Sequence, residues 1–191
     1  MGRITLSFRK AVLVFILTLP AYGAVVEGVK LKDTITCGGV ELPLVAAGLR
    51  GATIFNIRVY VLAMYAPTVV TSLTDPNIEK RPMCFEVHYL RDVEKKKVDE
   101  AWEFQFKESS EYSYPKLKDD IKALQKFFGE IKADKGIHLF ELLENSTKVY
   151  ETGVYKGEIP GKEFGKNFIS VFYGKNPPTK ELREALMKGK K

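Results

Sequence analysis

Residues 46–65 read AAGLRGATIFNIRVYVLAMY, and they are the most informative stretch of the chain. Its β-branched and aromatic side chains are typical of strands. We expect a pair of strands joined by a tight turn, with Arg50 opposite Tyr60. Because side chains alternate along a strand, the two would then share one face of the sheet.

Strand patterns continue on both sides of this pair. Residues 25–44 alternate β-branched and polar side chains around the turn signal Gly38-Gly39. Further strands are predicted at 83–90, 137–143 and 148–155. Residues 157–161 are interpreted as a turn that leads into a helix.

Helices are predicted in two groups. The first helix has Asp92 as its N-cap, and the second carries apolar residues three and four apart from Leu117 to Ile131. A later helix follows Gly161, and Thr179 caps a short last one. Strands and helices therefore come in groups, which favours an α+β fold with helices on an antiparallel sheet.

The first 23 residues have the layout of a cleavable secretory signal. Three basic residues precede the apolar run 11–19, and the small residues Ala21 and Gly23 flank the expected cut. A membrane anchor is the alternative, but the run is less than half of the roughly 20 residues that span a bilayer core. We expect a signal peptide at 1–23, one domain at 24–191 and no membrane span after cleavage.

Charge argues against nucleic acid as a partner. The chain has 30 basic and 24 acidic residues, and removal of 1–23 leaves 27 basic residues, a formal charge of +3. Lysines alternate with acidic residues at 94–97 and 116–120, as on a solvated helix face. No basic stripe interleaved with aromatic residues is present.

The cysteines and histidines indicate neither a metal site nor a cofactor. Cys37 and Cys84 would meet an oxidising compartment after export, so they either form a disulfide or remain buried structural thiols. His88 and His138 lie far apart in strand-like stretches. The sequence contains no HExxH, CxxC, GxSxG or phosphate-loop motif.

Arg50 and Tyr60 form the candidate binding site. An arginine beside a phenol in an apolar cavity suits a carboxylate or an enolate, because the guanidinium stays charged and donates in a planar geometry. Tyr65 is the alternative phenol if the strand register is shifted. The competing interpretation is a surface arginine packed along a tyrosine.

Three longer segments resemble the bacterial exported branch of the chalcone isomerase-like family. They are VEGVKLKDTITCGGVELPLVAAGLRGATIFNIRVYVLAMYAP, FEVHYLRDVEKKKVDEAWEFQF and GEIPGKEFGKNFISVFYGKNPP, in that order. The resemblance implies an open-faced β-sandwich, a large antiparallel sheet with a layer of helices. Its cleft would hold a planar or aliphatic ligand, and the periplasm is the expected location ahead of secretion to the medium.

The resemblance also informs function. Plant chalcone isomerases use an arginine, a threonine, a tyrosine and an asparagine, and these positions fall on Arg50, Tyr60, Glu94 and Ala101. Most of that polar set is therefore missing, whereas Arg50 with Tyr60 is similar to the carboxylate pair of the family's fatty-acid-binding members. We expect a noncatalytic binder of a small apolar carboxylate such as a fatty acid.

Two alternatives remain open at this point. One is an isomerase or intramolecular lyase that acts on a chalcone-like enone. The other is an envelope protein-interaction domain whose cleft is filled by its own side chains.

Overall fold

The computed structural model of the chain describes residues 22–52, 57–109, 114–133 and 135–190. The predicted signal peptide lies outside the described residues, except for its last two positions. It therefore stays a prediction.

The described strands form a two-stranded hairpin and a seven-stranded antiparallel sheet. The hairpin consists of β1 (Tyr22–Val26) and β2 (Val29–Lys32). The sheet consists of β3 (Thr34–Cys37), β4 (Val40–Ala52), β5 (Ile57–Tyr65), β6 (Met83–Tyr89), β7 (Ile137–Leu142), β8 (Ser146–Glu151) and β9 (Val154–Pro160). Each strand of the sheet pairs with the next one along the chain, from β3 to β9.

Four α-helices lie within the described ranges. They are α1 (Lys95–Ser109), α2 (Tyr114–Phe127), α3 (Lys162–Tyr173) and α4 (Lys180–Lys188), and a short 3-10 helix spans Pro76–Glu79. The hydroxyl of Thr179 accepts a hydrogen bond from the Leu182 amide at 3.2 Å, as the predicted cap of α4 requires. None of the described helices combines the length and apolar character that crossing a membrane requires.

Each face of the sheet has its own apolar core. The helix face packs under α1 to α4 and is rich in aromatic rings, with the Phe140 and Phe168 centroids 4.5 Å apart. The hairpin face packs under β1 and β2, where Leu31, Val61 and Tyr65 are fully buried. This arrangement confirms the expected α+β fold with a layer of helices on an antiparallel sheet.

A disulfide joins Cys37 and Cys84 on the hairpin face. Their Cα atoms lie 6.0 Å apart, within the range that a disulfide spans, and both residues are fully buried. The structure therefore supports the disulfide over the interpretation as free thiols. The bond ties the β3–β4 turn to the middle of the sheet.

Several predicted elements differ from the structure. The apolar stripe from Leu117 to Ile131 does not lie on one helix, because α2 ends at Phe127 and Ile131 pairs with the chain before α1. The first helix begins at Lys95, and the backbone at Val93 instead pairs with Ile131 in an isolated bridge, which keeps it extended. Asp92 is thus not an N-cap: its carboxylate accepts a hydrogen bond from the Ala133 amide at 2.8 Å.

The predicted strand at 148–155 and the predicted turn at 157–161 also differ, because β8 ends at Glu151 and residues 154–160 form strand β9. Thr152 and Gly153 take positive φ values of 48° and 78° and reverse the chain between β8 and β9. The glycine at 157 stays in the strand, since the ring of Phe127 occupies the space that a side chain would need.

Candidate functional site

Arg50 and Tyr60 lie directly opposite each other on β4 and β5. The Arg50 guanidinium carbon is 5.8 Å from the centroid of the Tyr60 ring, a distance at which a cation interacts with the ring face. The structure thus brings together the two residues that strand alternation placed on one face. Both are partly buried.

Tyr89 completes the site and was missed by the sequence reasoning. It is the cross-strand partner of Tyr60 on β6, and the two rings meet edge to face with centroids 5.8 Å apart. One guanidinium and two phenols therefore lie in a row across three neighbouring strands. In the sequence, the alternation of Phe85, Val87 and Tyr89 puts these three side chains on one face of a strand. Placing Tyr89 beside Tyr60 also requires the register between β5 and β6, which the sequence does not show.

A β-bulge shapes this corner of the sheet. Arg50 pairs with Tyr60 while the next residue, Gly51, pairs with Arg58, so Val59 has no partner on β4. In a regular strand Val59 and Tyr60 would face opposite sides. Here both line the same cavity, and the Val59 carbonyl accepts a hydrogen bond from the Leu90 amide at 2.9 Å.

Small residues before Arg50 allow a helix to approach closely. A side chain at Gly48 would lie 2.9 Å from the Cβ of Ala185 and 3.0 Å from a methyl group of Leu182. Because Gly48 has no Cβ, α4 packs directly on β4 two residues from Arg50. The packing thereby anchors the strand that carries the guanidinium.

The site is short of polar partners. Within the described ranges, Arg50 makes no ion pair and no side-chain hydrogen bond, and the hydroxyls of Tyr60 and Tyr89 likewise have no partner. Burial raises the pKa of Tyr60 well above its usual value, and the nearby Arg50 charge opposes this only in part. Burial also raises the pKa of Tyr89, so both phenols stay protonated and can donate hydrogen bonds.

These three residues line a cavity of about 980 Å³ between the sheet, α1 and the α3–α4 connection. Its apolar wall comes from strands and helices: Val59, Val87, Val98, Trp102, Val171 and Phe172. Its rim carries charged side chains of both signs: Arg91, Asp92, Glu94, Lys97, Glu108, Glu130, Lys175 and Lys180. The volume lies near the upper end of the roughly 300–1,000 Å³ of small-molecule sites.

Glu94 and Ala101 also line the cavity. The resemblance placed them where plant chalcone isomerases have a tyrosine and an asparagine. The positions therefore converge on one cavity with Arg50 and Tyr60. Their side chains supply a carboxylate and a methyl group, neither of which donates a hydrogen bond to a developing enolate.

Tyr65, the alternative phenol, lies away from this cavity. It belongs to the core of the hairpin face, is fully buried, and its hydroxyl donates to the Lys32 carbonyl at 3.3 Å. The strand alternation puts it on the opposite side of the sheet from Tyr60. The structure does not bring Tyr65 together with Arg50.

Comparison with known proteins places this geometry in context. A family model described as chalcone isomerase-like matches residues 23–188. The crystal structure of a fatty-acid binding protein from Arabidopsis thaliana is similar in fold, with a TM-score of 0.68 and 14% sequence identity. The similarity covers 86% of this chain and 95% of the Arabidopsis chain. The comparison with curated proteins gives no significant match.

Proposed function

This chain belongs to the chalcone isomerase-like family, and from that premise we propose that it is an exported, noncatalytic binder of a small apolar carboxylate such as a fatty acid. One observation carries the proposal. An arginine without an anionic partner in the described residues lies in a row with two phenols in the lining of an apolar cavity.

The chemistry of these groups matches a carboxylate. A guanidinium can donate two parallel hydrogen bonds to the two carboxylate oxygens, and charge-assisted bonds of this type are about twice as strong as neutral ones. Protonated phenols add donors and no negative charge. A carboxylate buried without such partners would cost several kcal/mol, so the arginine determines whether the ligand is held.

The cavity wall matches the rest of the ligand. Trp102, Val98 and Phe172 present apolar surface that an alkyl chain covers at roughly 25 cal/mol per Å². The open cavity also favours a binder over a domain whose cleft is filled by its own side chains. Glu94 and Ala101 favour a binder over an isomerase, since they lack the donors that the cyclisation of an enone employs.

The export part of the proposal is supported by the disulfide. Buried disulfides such as Cys37–Cys84 persist in oxidising compartments and are rare in reducing ones. Together with the signal-like sequence at 1–23, this favours the periplasm or the medium. Mass determination of the protein from an envelope fraction tests export. A mass that still includes residues 1–23, together with reduced cysteines, would contradict it.

Binding is tested by native mass spectrometry of the purified protein, followed by extraction and identification of the bound compound. We expect a fatty acid or similar carboxylate that is lost in Arg50→Ala. Arg58→Ala is the matched control, since Arg58 lies on the neighbouring strand, is 58% exposed at its side chain and pairs with Glu27 at 3.1 Å. Equal retention of the ligand in both variants would refute the carboxylate site.

A further inference from the structure

The rim of the cavity presents an aromatic side chain that the core does not use. Phe104 on α1 is 59% exposed, whereas the other phenylalanines in the described part of the chain are buried or half-buried. Trp102, two residues earlier on α1, packs inside the core and lines the cavity. The same turn of the helix therefore places Phe104 in solvent at the edge of the cavity. A large exposed apolar side chain at such an opening indicates an interaction surface.

Two lysines lie at the connection between α3 and α4, next to this helix. Lys175 and Lys180 are exposed and flank residues 176–179, and Lys180 is the first residue of α4. The Asn176 carbonyl accepts hydrogen bonds from Gln105 Nε2 and from Ser109 Oγ, each at 3.5 Å. The loop is therefore held against the part of α1 that carries Phe104.

Lys175 and Lys180 differ from the lysines at the start of α1 in their ion pairing. Lys95 and Lys96 form ion pairs with Asp99 and Glu100, one helical turn further on. In the described part of the chain, Lys175 and Lys180 form no ion pair. Their charges are available to a partner.

Acidic rim residues lie mostly at the other end of α1. Asp92 and Glu130 both contact Lys132, and Glu94 precedes the helix. On the Phe104 side the acidic lining residue is Glu108. Among the cavity-lining residues, this side of the rim thus presents an aromatic ring, two lysines and one carboxylate, Glu108. Two further exposed carboxylates, Glu103 and Glu181, lie next to Phe104 and Lys180 in the chain.

We propose that this mouth surface, defined by Phe104, Lys175 and Lys180, docks on an anionic lipid bilayer. A phenylalanine can enter the boundary between headgroups and acyl chains, while lysines extend to the phosphate groups and keep their charge in water. The inference rests on the proposed function: an apolar carboxylate partitions into bilayers, and a mouth held against the bilayer receives it without a passage through water.

The test is co-sedimentation of the purified protein with vesicles of phosphatidylglycerol and phosphatidylcholine in equal parts, and with vesicles of phosphatidylcholine alone. We expect binding to the anionic vesicles that weakens as salt is raised. Phe104→Ser should reduce the partition coefficient at least about tenfold. The double variant Lys175→Glu/Lys180→Glu should reduce it by more than tenfold, because each lysine near an anionic surface contributes about fivefold.

The matched control is Val154→Ser, which removes a 63% exposed apolar side chain from the first position of β9 and should leave vesicle binding unchanged. Absence of binding to anionic vesicles, or equal losses in the control and in Phe104→Ser, would overturn the proposal. So would a dimer that dissociates in Phe104→Ser, because the surface would then serve a second copy of the chain.

Failure of this inference can be separated from failure of the proposed function. Arg50→Ala should lose the bound carboxylate and still bind anionic vesicles, since Arg50 lies behind the rim on β4. If the wild-type protein holds a carboxylate but does not bind vesicles, only the docking surface is refuted.

Discussion

Arg50 and Tyr60 face each other across the β4–β5 pair, with the guanidinium carbon 5.8 Å from the ring centroid, and Tyr89 extends the row on β6. Three strands thus contribute one side chain each to a single site. Backbone pairing fixes their spacing, because neighbouring antiparallel strands hold opposite residues about 4.5–5.5 Å apart. The site is therefore largely formed before any ligand arrives.

The phenols should contribute measurably to carboxylate binding. Tyr60→Phe and Tyr89→Phe each remove one donor while keeping the ring, and a hydrogen bond to a charged group is worth about 1.5–3 kcal/mol. We expect a tenfold or greater loss of affinity for decanoate in each variant, measured by titration calorimetry. Tyr155→Phe is the control, since Tyr155 is exposed on β9. Unchanged affinity in both site variants would remove the phenols from the site.

Carboxylate binding should be insensitive to alkaline pH up to about pH 10. Burial raises the pKa of Tyr60 and Tyr89, so both hydroxyls remain donors beyond the usual phenol pKa of about 10. Affinity should fall only below about pH 5, where a ligand carboxylate becomes protonated. Decanoate titrations from about pH 4 to about pH 10 test this. A decline in affinity near about pH 8–9 would contradict it.

His138 should make the fold less stable in acid. It is fully buried, its ring stacks on Phe128 at 3.8 Å, and burial lowers its pKa from 6.5 to about 4, although Glu151 partly opposes the shift. The unfolded chain takes up the proton first as pH falls. The stability contributed by the neutral ring is thus complete above about pH 6.5 and is lost as pH falls towards 4.

The effect should reach about 3 kcal/mol in the free energy of unfolding between neutral pH and pH 4. Urea unfolding of the wild type and of His138→Leu measures it, because the variant has no imidazole to titrate. If the two proteins lose stability in parallel over this range, the histidine is not the cause.

Removal of the disulfide should weaken the fold without altering the site. Cys37→Ala/Cys84→Ala should lower the free energy of unfolding by about 2–4 kcal/mol, because the unfolded chain is no longer cross-linked. Decanoate affinity should stay within about twofold, since the disulfide lies on the hairpin face and Arg50 faces the other side. A large loss of affinity would show that the two faces are coupled.

A side chain at position 48 should disturb α4. Gly48→Val places methyl groups against Leu182 and Ala185, where the Cβ alone already lies 2.9–3.0 Å from its neighbours. We expect a loss of about 1–3 kcal/mol in unfolding free energy. Gly39→Ala is not a suitable control, because Gly39 has a φ of 82°, which would strain any residue with a side chain. Val40→Ala, at an exposed position of β4, is suitable and should change little.

Much of the fold could be predicted because its signals are local. The alternation in 46–65, the Gly38-Gly39 turn, the Thr179 cap and the stripe from Leu117 each depend on neighbours in the chain. Strand β9 was missed because its exposed residues and its glycine resemble a turn. Residue 157 can be a glycine within this strand because the ring of Phe127 fills the space that a side chain would occupy.

Local propensity and the order of segments were enough to predict the class of the fold and the strand pair that carries Arg50 and Tyr60. They also carried the resemblance to the chalcone isomerase-like family. Three-dimensional contacts were needed to show that Tyr89 joins the site, that Tyr65 does not, and that Phe104 lies at the mouth of the cavity. Strand register, the bulge at Val59 and helix placement arise from contacts between residues far apart in the chain, which no local pattern encodes.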